Sequence, residues 1–251
     1  MKTYFPGLNT LRFYAALSVV IHHFTAPNTW FGDAAALDYY ARFGFLEGGN
    51  AVTLFFVLSG FLILYLLIKE RESSGSIRVR RFYVRRIFRI LPLYYLTLLA
   101  GGVLVALTWD RLPISAQAAA SQPAIWITAL LYCLNLLGIT SVPISHLWSL
   151  NVEEQFYLFA PWLIKRAGSI PRTLIGFILI KLSFQIGLLI VWKLTNNPIV
   201  QYVYEMLVIM RFECMALGGL GAWWVLHDHP ILRRICHPFT QGITVIGLIG
   251  I

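Results

Sequence analysis

Apolar residues run through this chain in blocks about twenty residues long, separated by short polar or basic segments. A helix needs about 20 mostly apolar residues to cross the hydrocarbon of a bilayer. By that measure, spans are expected at roughly 8–26, 50–68, 88–108, 146–164, 173–193 and 202–226, with another starting at about 239. The segment 125–139 is apolar but short, which predicts a re-entrant or interfacial piece, or a short span. The final stretch, "ITVIGLIGI", stops about half a span in, without a polar flank. The last span is therefore expected to be truncated and the domain to be C-terminally incomplete. No internal repeat, low-complexity tract or linker breaks the pattern. The expected fold class is all-α: a polytopic transmembrane helix bundle of about seven spans, the last truncated, plus a short re-entrant or interfacial segment. It would form one membrane domain over 1–251.

Composition points to the same solvent. Hydrophobic residues make up 58% of the 251 positions and charged residues 12%, about half the charged share of an ordinary soluble domain. Mean hydropathy is +0.71. The net charge of +9 is concentrated in short segments, which is how topology rather than nucleic-acid affinity is written; no nucleic-acid-binding motif accompanies it. The segment 69–89 carries Lys69, Arg71, Arg78, Arg80, Arg81, Arg85, Arg86 and Arg89, whereas 27–49 carries only Arg42. The first is expected in the cytoplasm, and with it the N-terminus, on an uncleaved first span. Lys165, Arg166, Arg172, Arg233 and Arg234 then also fall inside, provided 125–139 does not cross. Cys133, Cys214 and Cys236 show neither CxxC nor metal-ligand spacing and read as packing residues.

Ionisable side chains inside a span are costly and mark function by default. Four places hold them. In "LRFYAALSVVIHHF", Arg12 and His23 lie eleven residues apart, about 20° from alignment on a helix and about 16 Å along it. His22 points about 100° away. An imidazole that titrates near neutrality can take a proton from a hydroxyl and return it; the plain alternatives are an interfacial arginine anchor and a buried, hydrogen-bonded histidine. In "SHLWSLNVEEQFYLFAPWL", His146, Ser149, Glu153 and Tyr157 form one helical stripe, and Glu154 shares another with Leu147, Leu150 and Leu158. Pro161 leaves the carbonyl of Tyr157 free. In "RFECMALGG", Arg211 and Glu213 point about 200° apart, so each needs its own partner. In "RRFYVRRIFRILPLYY", Arg78, Arg81, Arg85 and Arg89 share a stripe, with Arg86 and Arg89 one turn apart, a pattern that suits phosphate or, more plainly, anionic lipid. Pro92 is expected in the first turn of the following span. Ser59–Gly60 in "FFVLSGFLI" permits close helix approach.

Five stretches, "LRFYAALSVVIHH", "FFVLSGFLI", "RRIFRILPLYY", "HLWSLNVEEQFYL" and "RFECMALGG", stand in an order that resembles the acyltransferase-3 family of integral membrane acyltransferases. The resemblance implies transfer of an acyl group, usually acetyl, from cytoplasmic acyl-CoA to a hydroxyl of an extracytoplasmic or lipid-linked glycan. It also implies a bacterial cytoplasmic-membrane location and no permanently bound cofactor. It carries His23 and Arg12 over as the essential pair, Glu153 as the carboxylate that would orient or charge-balance His23, and Arg85, Arg86 and Arg89 as the acyl-CoA side. His146, Ser149, Arg211 and Glu213 become supporting polar groups. The alternatives are a transporter or flippase with a charge relay, and a non-catalytic membrane scaffold.

Overall fold

The computed structural model describes residues 5–25, 48–112, 114–137, 144 and 146–235. In chain order these form α1 (Pro6–Thr25), α2 (Gly48–Ser74), α3 (Val79–Leu107), a 3-10 turn (Trp109–Arg111), α4 (Ile114–Ala120), α5 (Pro123–Leu130), a second 3-10 turn (Leu134–Leu137), α6 (Leu147–Arg166), α7 (Ile170–Thr195), α8 (Pro198–Met210), α9 (Phe212–Leu226) and α10 (Pro230–Ile235). Among the described residues, four stretches are long and apolar enough to cross a membrane: Gly49–Ser74, Val79–Leu107, Ile170–Thr195 and Pro198–Leu226. The protein is an all-α, polytopic membrane helix bundle. Large side chains such as Phe88, Leu93 and Leu99 on α3, and Ile180, Phe184 and Leu194 on α7, are exposed, as a lipid-facing surface requires and a water-facing one would not tolerate. The span expected from 239, Cys236 and Arg42 lie outside the described residues.

Three boundaries differ from the sequence reading. The basic segment 69–89 is not a loop: α2 continues to Ser74 and α3 starts at Val79. Charged side chains that would interrupt a span do not interrupt a helix, because arginine is itself a good helix former and its head can reach out of the helix into water. Pro92 consequently lies inside α3 rather than in its first turn. The expected span 202–226 is two helices, α8 and α9, broken at Arg211, whose φ is 41°. The turn into α8 follows from "TNNP": Asn196 takes a left-handed conformation (φ 49°), Asn197 caps the helix by accepting from the N–H groups of Ile199 (2.9 Å) and Val200 (3.4 Å), and Pro198 fills the first turn.

The chain forms two compact units. The first comprises 1–69, 170–175 and 214–251. Its packing depends on glycine. A Cβ on Gly60 of α2 would collide with the backbone of Met215 on α9, and one on Gly218 with the carbonyl of Val57. Without these side chains the two helices meet backbone to backbone, as small residues allow in membrane bundles. Phe5 packs against the middle of α2 with edge contacts to Phe61 (5.3 Å) and Tyr65 (5.1 Å).

The second unit comprises 70–169 and 176–213. Its core joins Tyr94, Leu98 and Val105 of α3 to Ala116 of α4, Ala129 of α5, Leu134, Ile144 and Leu147. Helix α5 is 8 residues, about 12 Å long, far short of a span. It folds back on α3: Tyr94 Oη donates to the Ala129 carbonyl at 2.7 Å, and Trp126 packs over Gly102. The chain therefore leaves α3 and enters α6 at one end of this unit. At the other end, Arg71 donates to the carbonyls of Ile164 (2.8 Å) and Ala167 (2.6 Å), satisfying orphan groups at the α6 C-terminus. The basic stretches 70–89 and 165–169 thus share an end.

Cysteines introduced at Ser76 and Gly168 should react with an impermeant maleimide from the same side of sealed vesicles, and one at Ser121 from the other. Opposite sidedness of the first two would mean that the α4–α5 segment crosses. Gly60→Val and Gly218→Val should each lower stability by about 1–3 kcal/mol through overpacking, read as a fall in Tm in detergent. Gly176→Val, where nothing lies within 4 Å of a new Cβ, should change it little.

Candidate functional site

The first turns of α3 alternate anchors with cations. Ile77, Val79 and Phe82 are buried, while Arg78, Arg80, Arg81 and Arg85 are exposed. This amphipathic start holds the arginines outward around an open pocket of about 830 Å³, to which Lys165 from the last turn of α6 contributes a fifth cation. Glu70 holds the edge of this cluster. Its carboxylate accepts from the Arg78 N–H at 3.1 Å and stands 3.9 Å from the Arg85 guanidinium.

Arg86 behaves differently from its neighbours. It is half-buried and turned toward α6, with its guanidinium 4.3 Å from the centre of the Tyr157 ring and its charge acting on Glu154. Tyr157 Oη in turn donates to Glu153 Oε2 at 3.1 Å. The paired carboxylates are therefore handled separately: Glu153 through a tyrosine one turn away, Glu154 through the arginine of another helix. Glu154 Oε1 is buried with no hydrogen-bond partner among the described residues. Pro161 is buried inside α6. Beside the carbonyl it orphans, Tyr83 Oη donates to the Leu158 carbonyl. Arg89 is exposed.

His146 stands exposed at the N-terminus of α6, and Ser149 Oγ donates to its carbonyl at 3.3 Å. Arg12 lies on α1, half-buried beside the buried positions Ala15 and Ser18. His22 and His23 fall in the last turn of the same helix; their side chains lie outside the described residues. Arg12 and His23 belong to the first unit and Glu153 to the second, so each is described in its own surroundings.

Sequence reasoning missed two polar groups. On α6, Asn151 and Gln155 form a third stripe. Gln155 donates to the Tyr132 carbonyl (3.0 Å) and to Asn135 Oδ1 (2.8 Å), and accepts from Asn135 Nδ2 (3.1 Å). With its amide turned to suit its neighbours, Asn151 donates to Tyr94 Oη (3.0 Å) and accepts from the Leu134 N–H (2.9 Å). The network fastens the irregular stretch 131–137, where Tyr132 has φ of 57°, between α3 and α6. The signal was present: two amides at i, i+4 in an apolar helix have the same claim to attention as the two glutamates. The second miss is Lys181, alone in the apolar run of α7, whose Nζ lies 2.6 Å from Glu213 Oε2.

Gln155→Leu should destabilise the protein by about 1–3 kcal/mol, because it leaves the buried amide of Asn135 unpartnered. Adding Asn135→Leu should recover part of that loss in thermal unfolding. Two neutral single variants would remove the network from the account.

The model of the acyltransferase-3 family, described as "Acyltransferase domain", matches residues 5–249. Among curated proteins, "O-acetyltransferase OatA" of Staphylococcus aureus (strain NCTC 8325 / PS 47) is 31% identical over 259 aligned residues, covering 98% of this chain and 39% of its own. "Putative O-acetyltransferase SACOL0978" of Staphylococcus aureus (strain COL) is 32% identical over 162 residues, covering 63% of this chain and 24% of its own. The matched part of the chain thus covers only a quarter to two-fifths of the length of these relatives. No solved structure matches it.

Proposed function

The chain belongs to the acyltransferase-3 family, and on that premise we propose that it is a membrane-bound O-acyltransferase. It would move an acyl group, acetyl by preference, from acyl-CoA to a hydroxyl of an extracytoplasmic or lipid-linked glycan. The observation that carries the reading is the basic pocket. Coenzyme A bears several phosphate charges and does not cross lipid, and four arginines and a lysine converge at one end of the second unit on a cavity of about 830 Å³, a ligand-sized volume. Guanidinium groups bind phosphate in charge-assisted, often bidentate pairs. In this reading the pocket end faces the cytoplasm of a bacterial cell, and the N-terminus shares that side.

Within the donor site, Arg85 acts together with Arg78, Arg81 and Lys165 on the phosphates. Arg89, one turn beyond Arg85 on the same stripe, extends the cationic track along α3. The contacts of Arg86 with Tyr157 and Glu154 support a positioning role, holding the carboxylate-bearing turn of α6. His23 takes the proton of the acceptor hydroxyl. The oxygen attacks the thioester carbonyl, the C–O bond forms as the C–S bond breaks, and the thiolate of coenzyme A leaves with the proton returned by the imidazole. Arg12 and Glu153 complete the set as the charged groups of the family pattern; Ser149, His146, Arg211 and Glu213 support it.

The test uses proteoliposomes and labelled acetyl-CoA. Arg81→Ala, Arg85→Ala and Lys165→Ala should each raise the KM for acyl-CoA about tenfold or more, leaving the acceptor KM alone. A donor lacking the 3′-phosphate should feel the changes less. His23→Ala should abolish transfer while the protein still inserts, and His22→Ala should retain most of it. An unchanged donor KM with only insertion orientation disturbed would make the arginine cluster topogenic and sink the donor-site reading.

A further inference from the structure

The break between α8 and α9 brings Arg211 and Glu213 together with Lys181, a residue to which the acyl-transfer reading gives no part. Arg211 joins the two helices at φ 41°, a left-handed conformation that a non-glycine residue keeps only when its surroundings hold it there. Phe212, next in the chain, packs against Phe156 (5.8 Å) and Phe159 (5.5 Å) of α6, whose rings also meet Phe177 of α7. Glu213 follows, with Oε2 2.6 Å from Lys181 Nζ; Lys181 also donates to Gln185 Oε1 at 2.5 Å. The lysine side chain is only 8% exposed, in the interior of α7. A buried ion pair contributes little net stability compared with apolar groups of similar size, and its best-attested use is to fix one geometry among several.

We infer that Lys181 is a positioning residue: through its ion pair with Glu213 it holds the left-handed break at Arg211, and so fixes where Arg211 stands within the segment. Phe212 supplies shape to this junction, but an aromatic cluster is tolerant of rotation and does not define a register. The ion pair supplies the direction. Glu213 lies two residues past the break, so anchoring its carboxylate to α7 sets the path of the chain through Arg211. The consequence for activity rests on the acyl-transfer reading; the consequence for the backbone does not.

Hydrogen exchange of the purified full chain, read over residues 207–214, tests the backbone arm. Lys181→Met should speed exchange of the amides of Arg211, Phe212 and Glu213 by about tenfold or more, leaving α3 and α6 unchanged. Reversing the pair, with Lys181→Glu and Glu213→Lys together, should bring exchange back to about the wild-type rate. Transfer measured in parallel should lose kcat in Lys181→Met at constant donor KM and regain it in the reversed pair. If Lys181→Met does not fold, the apolar pair Lys181→Met with Glu213→Leu should fold and still exchange fast at the break. Slow exchange at the break in either Met variant overturns the inference, as does a folded reversed pair that fails to restore it. Wild-type protein without transfer activity would overturn the acyltransferase reading while the exchange arm still stands.

Discussion

Hydrocarbon cannot hydrogen-bond, so a polar group placed inside a span has to find its partner within the protein. This constraint organises the second unit. Gln155 and Asn135 exchange hydrogen bonds, Asn151 joins Tyr94 to the backbone of Leu134, and Tyr157 answers Glu153. Arg71 and Tyr83 take up carbonyls at the end and the proline-disturbed turn of α6. Each of these contacts joins segments distant in sequence or fixes the side chains of one turn. The polar residues are therefore fasteners of the bundle as well as candidates for chemistry, and α6 carries both sorts on adjacent stripes.

The two units solve close packing by opposite means. In the first, α2 and α9 approach through Gly60 and Gly218, where the absence of a side chain is the requirement. In the second, irregular backbone at 131–137 could exist near lipid only because α3 and α6 cover it with donors and acceptors. The first arrangement is read from small residues at an interface, the second from amides in unlikely places.

Much of this was legible in the sequence, and the exceptions have physical causes. Apolar block length located α1, α6 and α7 to within a few residues, because a long apolar stretch satisfies its backbone most simply as a helix. The start of α3 was misplaced because a hydropathy criterion measures solvent, and the arginine-rich turns of Val79–Arg89 are helical without being in lipid. The break at Arg211 was invisible because nothing local demands it: no glycine or proline stands there, and the residues that follow it, Phe212 and Glu213, find their partners on α6 and α7, far away in the chain. Pairing has no periodicity. Glu213 could be seen to need a partner, but only the fold says that the partner is Lys181. The stripe analysis of α6 put Glu153 and Glu154 on different faces, and the two have different partners, Tyr157 and Arg86, yet it treated Asn151 and Gln155 as background because they carry no charge.

Pro92 sits between the two functions of α3. Its ring removes the hydrogen bond that the carbonyl of Phe88 would otherwise accept, and a helix missing one bond bends more readily there than elsewhere. On one side lie the turns that carry the arginine cluster; on the other, Tyr94, Leu98 and Val105 are locked into the core. Both sides of the weakened turn are held: before it Val79 and Phe82 are buried and Tyr83 and Arg86 reach α6, and after it the core residues do the holding, so the helix stays continuous across a missing bond because its neighbours fix it on either side.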